Sequence, residues 1–164
     1  RMPFLTEMLK TNQRDRDFYS SAMYNVIKAY QLLLRSGLPK GPVHGDFQFA
    51  NVMSLSLGGL AALDFDTCGF GFLSEDICTF LWRSDMEIQK KVINDSFFVG
   101  YNSVRVLSVE EMDAIKVYRV ARDLVMSASY ALLINRIGPV PGFDGDFSPF
   151  TLLAQKHLKD ANFN

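Results

Sequence analysis

The chain predicts a mainly α fold with a small β-hairpin, an α+β domain of largely helical content. Three observations predict it. Apolar residues recur at the helical period over long stretches that carry recognisable start and stop residues. One Gly-Gly pair, Gly58-Gly59, joins two short apolar runs, the pattern of a hairpin turn. No internal repeat, low-complexity tract or long linker divides the chain, so residues 1–164 read as a single domain.

The elements follow in order. Phe4 to Leu9 read as a short helix or entry loop, followed by a polar turn at Thr11-Asn12-Gln13. Asp15 to Ser36 read as one long helix, with Phe18, Ala22, Val26, Ala29 and Leu33 along one stripe. Gly37 and Pro39 stop it, and Lys40-Gly41-Pro42 continue the break. Asn51 to Leu55 and Leu60 to Phe65 are the arms of the hairpin. Thr67 to Phe72 is a loop rich in glycine and aromatic residues. Ser74 is the expected N-cap of a helix through Arg83, with Glu75 and Asp76 in its first turn. A helix from about Met86 to Tyr101 follows. Ser108-Val109-Glu110-Glu111 has the form of a capping box opening a long helix to about Asn135. Gly138 to Gly142 end that helix, an acidic aromatic loop follows at Phe143 to Phe147, and a last helix runs from about Pro149 to Ala161.

Bulk composition narrows the function. The chain has 164 residues, enough for one sizeable core, and 48% of them are hydrophobic. A formal charge of −1 gives no electrostatic case for nucleic acid or an anionic membrane as partner. Apolar stretches break well before the roughly 20 residues that span a bilayer. No secretory signal is visible. Cys68 and Cys78 have neither metal spacing nor the look of a disulfide framework, and both read as buried or half-buried thiols. A cytoplasmic protein is the expectation. The chain opens at Arg1 with Met2 second, which reads as a cut or truncated chain.

The chemistry concentrates in Val43-His44-Gly45-Asp46-Phe47-Gln48-Phe49-Ala50-Asn51 and Leu63-Asp64-Phe65-Asp66. A four-residue connection would pair Leu55 with Leu60, and hence Asn51 with Asp64, with facing Cβ atoms about 5 Å apart. An amide oxygen and a carboxylate at that separation suit a hard divalent cation such as magnesium. Asp46, in the loop entering the hairpin, can then orient a hydroxyl without itself being a ligand. Gly45 permits a loop conformation that a Cβ would resist.

These residues carry a family resemblance. His44-Gly45-Asp46, four intervening residues, Asn51, and Asp64 after a hairpin resemble the catalytic core of the aminoglycoside phosphotransferase and choline kinase families. The resemblance spans roughly residues 38–82. It implies the C-terminal lobe of a protein-kinase-like fold, with catalytic loop 43–51, metal-binding hairpin 51–66 and a helical remainder. It also implies Asp46 as catalytic base, Asn51 and Asp64 as Mg2+ ligands, and Asp76 as a brace for the catalytic loop. ATP or GTP would be the donor. A small hydroxylated molecule (an aminoglycoside, choline, homoserine or a sugar-like compound) would be the acceptor. The family's N-terminal lobe, with its glycine-rich loop and nucleotide-contacting lysine, has no counterpart before Asp15. That lobe is therefore an expected partner supplied by the parent protein, and the isolated chain is expected to be inactive.

Each residue also has a plainer reading. Asp46 could cap local amides as a turn aspartate. Asn51 could satisfy loop backbone. Asp64 would be costly to bury without a cation. Asp66 is either a second metal contact or a solvent-facing strand end. His44 reads as a packed, hydrogen-bonded structural histidine rather than a base, and His157 as a surface residue. Asp144 and Asp146 with Phe143 and Phe147 form either an acidic aromatic wall for a cationic acceptor or a solvated loop. Arg119, Arg122 and Asp123 read as a charged helix face. The rivals to the enzyme are a non-catalytic kinase-like binding module and an unrelated helical metal-binding domain.

Overall fold

The computed structural model describes residues 13–138 and 148–162. Their element order is α1 (Gln13–Leu34), β1 (Lys40–Val43), a 3-10 turn (Phe49–Asn51), β2 (Val52–Ser54), β3 (Leu60–Ala62), β4 (Gly69–Phe72), α2 (Ser74–Ser84), α3 (Lys90–Val104), α4 (Val109–Ile137) and α5 (Ser148–Asp160). The mainly helical α+β architecture expected from the sequence is what forms. The expectations for Phe4 to Leu9, and for Asp144 and Asp146 with their flanking aromatics, lie outside the described residues.

The chain divides into two compact units, residues 1–35 with 119–164, and residues 36–118. In the first, Tyr19, Ala22 and Val26 of α1 are buried at helical spacing with Val120, Leu124, Ala128 and Ala131 of α4. Two sets of buried polar side chains in this unit are paired with one another, as burial favours. The Tyr19 hydroxyl donates to Ser127 Oγ at 3.2 Å and shares a hydrogen bond with Thr151 at 3.1 Å. Burial pushes the Tyr19 phenol up, against the pull of those two bonds. His157 Nδ1 donates to Asp123 Oδ2 at 2.7 Å, and both side chains are almost fully buried. His157 is thus not a surface residue, and Asp123 does not belong to an exposed charged face. Sequence periodicity on α5 could not reveal a polar partner from a distant helix.

The second unit holds two two-stranded antiparallel sheets. β1 pairs with β4, Lys40 opposite Phe72 and Val43 opposite Gly69. By sequence both segments read as breaks, because Gly41, Pro42, Gly69 and Gly71 are poor strand formers. A proline is tolerated in a ribbon with only edge strands, and a Cβ at Gly71 would lie 2.7 Å from Glu75 Oε2. β2 pairs with β3, Val52 opposite Ala62 and Ser54 opposite Leu60. The expected register is therefore wrong by one residue: Leu55 belongs to the turn, where its amide donates to the Gly59 carbonyl at 3.1 Å. Gly58 and Gly59 both take positive φ there, a conformation open to glycine.

Helix boundaries shift modestly. α2 starts at Ser74 itself, whose predecessor Leu73 makes no side-chain cap, so Ser74 is not the N-cap. α3 starts at Lys90 rather than Met86 and extends to Val104. The capping box before α4 forms in both directions, Glu111 N donating to Ser108 Oγ at 3.2 Å and Ser108 N to Glu111 Oε2 at 3.1 Å. Arg105 grips the same carboxylate with two nitrogens, at 2.9 and 2.5 Å. Its hydrogen bonds are the main force holding the Glu111 carboxyl below its ordinary range.

Candidate active site

The site grows from the way β1 ends. After Val43 the chain turns through Gly45 at φ +81°. A Cβ at that position would lie 2.3 Å from the Thr67 carbonyl oxygen, so both conformation and space require glycine. The turned loop presents two adjacent amides to one carboxylate: His44 N donates to Asp76 Oδ2 at 2.7 Å and Gly45 N to Asp76 Oδ1 at 2.8 Å. Asp76 lies in the first turn of α2, where the helix dipole favours a negative charge. Thr67 Oγ1 adds a bond to the His44 carbonyl at 3.2 Å.

His44 is buried and ties the loop to the hairpin. Its Nε2 donates to the Leu63 carbonyl at 2.8 Å, and its Nδ1 accepts a long bond from the Asp46 amide at 3.4 Å. The ring also packs on Phe65, with centroids 4.5 Å apart. With both nitrogens committed to backbone, His44 holds the loop, as a structural histidine would.

Asp46 is half-buried and faces two amide side chains. Asn51 Nδ2 donates to the Asp46 carbonyl at 2.9 Å and to Asp46 Oδ2 at 3.2 Å. Gln48 Nε2 donates to the same Oδ2 at 2.9 Å. Both groups that Asn51 faces are acceptors, which orients its amide with nitrogen toward Asp46. The 3-10 turn that presents Asn51 is closed by Asn51 N to Gln48 O at 2.9 Å. Asp46 and Asn51 are thus in direct contact.

Asp64 stands differently from its expected place. Leu63, not Asp64, lies across from Asn51, and its amide donates to the Asn51 carbonyl at 2.9 Å. Asp64 follows at φ +63°, a left-handed conformation that aspartate tolerates better than most residues, and it is exposed. Desolvation is therefore no argument for a cation at this carboxylate. Asp66 and Cys68 are exposed as well, so Cys68 is not the buried thiol expected, whereas Cys78 is buried. The side-chain chemistry fits magnesium: the amide nitrogen of Asn51 is used, leaving an oxygen to offer, and Asp64 adds a carboxylate. Among the described residues no group of three or more His, Cys, Asp or Glu side chains is placed to hold a metal ion.

Sequence reasoning missed Gln48 and Thr67. Gln48 stands two places after Asp46, so an amide within reach of its carboxylate was a usable signal. Thr67 carried none, because its contact depends on the fold of a segment that reads as loop.

Beside the loop lies a cavity of about 480 Å³. Phe47, Leu73 and Ile77 line one side, and α3 supplies Phe97 and Tyr101. Phe97 stacks on Phe80 with centroids 4.1 Å apart.

Solved structures share the fold. A likeness to the structure of an amicoumacin kinase in complex with AMP-PNP, Ca2+ and Ami covers 96% of this chain and 48% of that one, at 18% identity and a TM-score of 0.63. The structure of a microcompartment-associated aminopropanol kinase is similar over 95% of this chain and 54% of that one, at 19% identity and a TM-score of 0.55. These likenesses make the fold one shared with kinase-like proteins. An uncharacterised protein of Synechocystis sp. is 35% identical over 72 residues, 44% of this chain and 20% of that protein. The chain thus spans about a fifth of that curated relative and about half of each kinase. The model of the phosphotransferase enzyme family matches residues 3–108, which include the whole loop, the hairpin and Asp76. That match extends over more than half of the chain, and the chain belongs to the phosphotransferase enzyme family.

Proposed function

We propose that this chain carries the catalytic and metal-binding half of an ATP-dependent phosphotransferase that moves the γ-phosphate to a hydroxyl of a small molecule. The observation that carries the reading is the Asn51 amide bridged to both the carbonyl and the carboxylate of Asp46. It holds a base and an oxygen ligand in one rigid corner, which positional catalysis of phosphoryl transfer requires.

In this reading Asp46 accepts the proton of the acceptor hydroxyl as that oxygen bonds to the γ-phosphorus and the bond to the β–γ bridging oxygen breaks, with ADP as the leaving group. Gln48 and Asn51 keep its Oδ2 in place. Asp76 fixes the height of the loop through the two amides that it binds. Asn51 Oδ1 and the Asp64 carboxylate would hold Mg2+, which would neutralise phosphate charge. Asp64 is exposed, so its carboxylate is open to an incoming ion.

ATP as donor fits the AMP-PNP held in complex by the amicoumacin kinase, and GTP remains the other donor. The acceptor class fits the small molecules named for both kinases. A further lobe of the parent protein would grip the nucleotide, and residues 1–164 alone would then transfer phosphate poorly or not at all. No described helix is long and apolar enough to cross a membrane.

The test is steady-state phosphoryl transfer by the full-length protein with ATP, Mg2+ and a panel of hydroxylated acceptors. Turnover that needs both Mg2+ and Asp46 supports the reading. Unchanged turnover in Asp46→Asn would overturn it.

A further inference from the structure

The cavity beside the loop has a chemistry of its own. Its walls come from three places: Phe47, immediately after Asp46; Leu73 and Ile77 around the start of α2; and one face of α3. That face presents Phe97 and Tyr101, four residues apart and so stacked one turn above the other. A volume of about 480 Å³ falls within the range of small-molecule sites.

The polar groups that line it are few, and most are already used. Asp76 is the one carboxylate among its lining residues, and both its oxygens accept backbone amides of the loop. The Tyr101 hydroxyl accepts from Arg105 Nε at 3.2 Å, and Arg105 is itself bound to Glu111. Ser96 contributes a hydroxyl to the lining. A polycation entering here would lose water and find no uncommitted carboxylate, and a polyol would lose most of its hydrogen bonds. An apolar or aromatic body would lose nothing and would gain contact with three aromatic rings.

We infer that this cavity is an acceptor pocket for a compact alcohol with a mainly apolar or aryl body and a single hydroxyl, not for a polycationic polyol. The inference rests on the phosphotransferase reading of the adjacent loop for the word acceptor. Recognition of the apolar body stands on the cavity alone.

Gly100 supplies the test. It lines the cavity on α3, and a Cβ built there meets nothing within 4 Å. A Cβ there is accommodated, the helix gains a better helix former, and a larger side chain at this lining position is expected to take up part of the cavity. The probe is 3-phenyl-1-propanol, added to the protein without nucleotide or metal and followed by ligand-observed NMR. Saturable binding is expected at about 1 mM or tighter. Gly100→Ala should weaken it slightly and Gly100→Leu at least tenfold, with melting temperatures no lower than that of the parent. Kanamycin, a polycationic polyol, should not displace the probe. Absence of saturable binding, binding indifferent to Gly100→Leu in a folded variant, or displacement by kanamycin would each overturn the inference. Binding as expected in a protein that never transfers phosphate would instead defeat the proposed function and leave the apolar pocket standing. Phosphorylation of kanamycin by the full-length Gly100→Leu protein would do the reverse.

Discussion

Asn51 donates to Asp46 twice, to its carbonyl at 2.9 Å and to its carboxylate at 3.2 Å. In the proposed mechanism, the residue that would offer an oxygen to a cation is thus the same residue that aims the proposed base. Asn51→Asp separates the two roles. It keeps oxygen for a cation but replaces the donor with a second negative charge facing Asp46. Turnover of the full-length protein is expected to fall at least tenfold and to stay low at saturating Mg2+, which a kinetic titration in Mg2+ measures. Full recovery at high Mg2+ would mean that the bridge to Asp46 has no part in catalysis.

Asp46→Asn removes the proposed proton acceptor while retaining an oxygen for the Gln48 and Asn51 amides. General-base contributions run to about 10²–10⁴-fold, so kcat should drop within that range. Thermal unfolding should move little. A matching loss of stability and turnover would reassign Asp46 to a structural role.

Asp76→Asn gives one acceptor where two amides need two. Either His44 N or Gly45 N then faces an NH2 group. Hydrogen bonds to charged groups contribute roughly 1.5–3 kcal/mol, and a loss of about that size is expected in urea unfolding. Hydrogen exchange at Gly45 should accelerate ahead of the bulk, because the loop is released first.

The fold was legible where local rules acted alone, and the candidate site was legible as a set of letters. Ser108 and Glu111 announced their helix start, and the reciprocal bonds are present. The stripe of α1 showed through Ala22 and Val26. What failed depended on partners far along the chain. β1 and β4 pair across residues 40–72, and neither has strand composition by itself. His157 is polar at a position where a distant partner, Asp123, accounts for its burial. The hairpin register failed by a single residue because two glycines set the expected turn length, and nothing local shows that Leu55 joins the turn. That one residue moved Asp64 out of its expected pairing with Asn51.

Gly45→Ala should be among the most damaging single-methyl changes. It adds a Cβ 2.3 Å from the Thr67 oxygen and forces alanine to φ +81°. The left-handed conformation costs about 1–2 kcal/mol before the overlap is counted. A fall in melting temperature of several degrees, measured calorimetrically, is expected. A melting temperature equal to that of the parent would show that the loop relaxes freely.

Acid should weaken the second unit through Glu111. Its carboxyl is held below the ordinary value of 4.5, first by the Arg105 hydrogen bonds, with the Ser108 amide adding to them against burial. A depressed folded value means that the unfolded chain takes up the proton first as pH falls. The stabilisation is therefore complete above about pH 5 and declines as pH drops through 4.5 toward the lower folded value. Glu111→Gln should be less stable than the parent at pH 7, with the difference shrinking below pH 4.5. Urea midpoints across that range provide the check.

The positive φ of Asp64 has a consequence for how variants of this protein would be sorted. Asp64→Gly would relax the left-handed backbone, a gain of about 1 kcal/mol, against an unfolded-chain entropy cost of similar size. A library ranked on folding would pass Asp64→Gly as neutral. The same library ranked on phosphoryl transfer should reject it, since the exposed carboxylate is gone. Abundance of a folded variant would then say nothing about whether this corner still works.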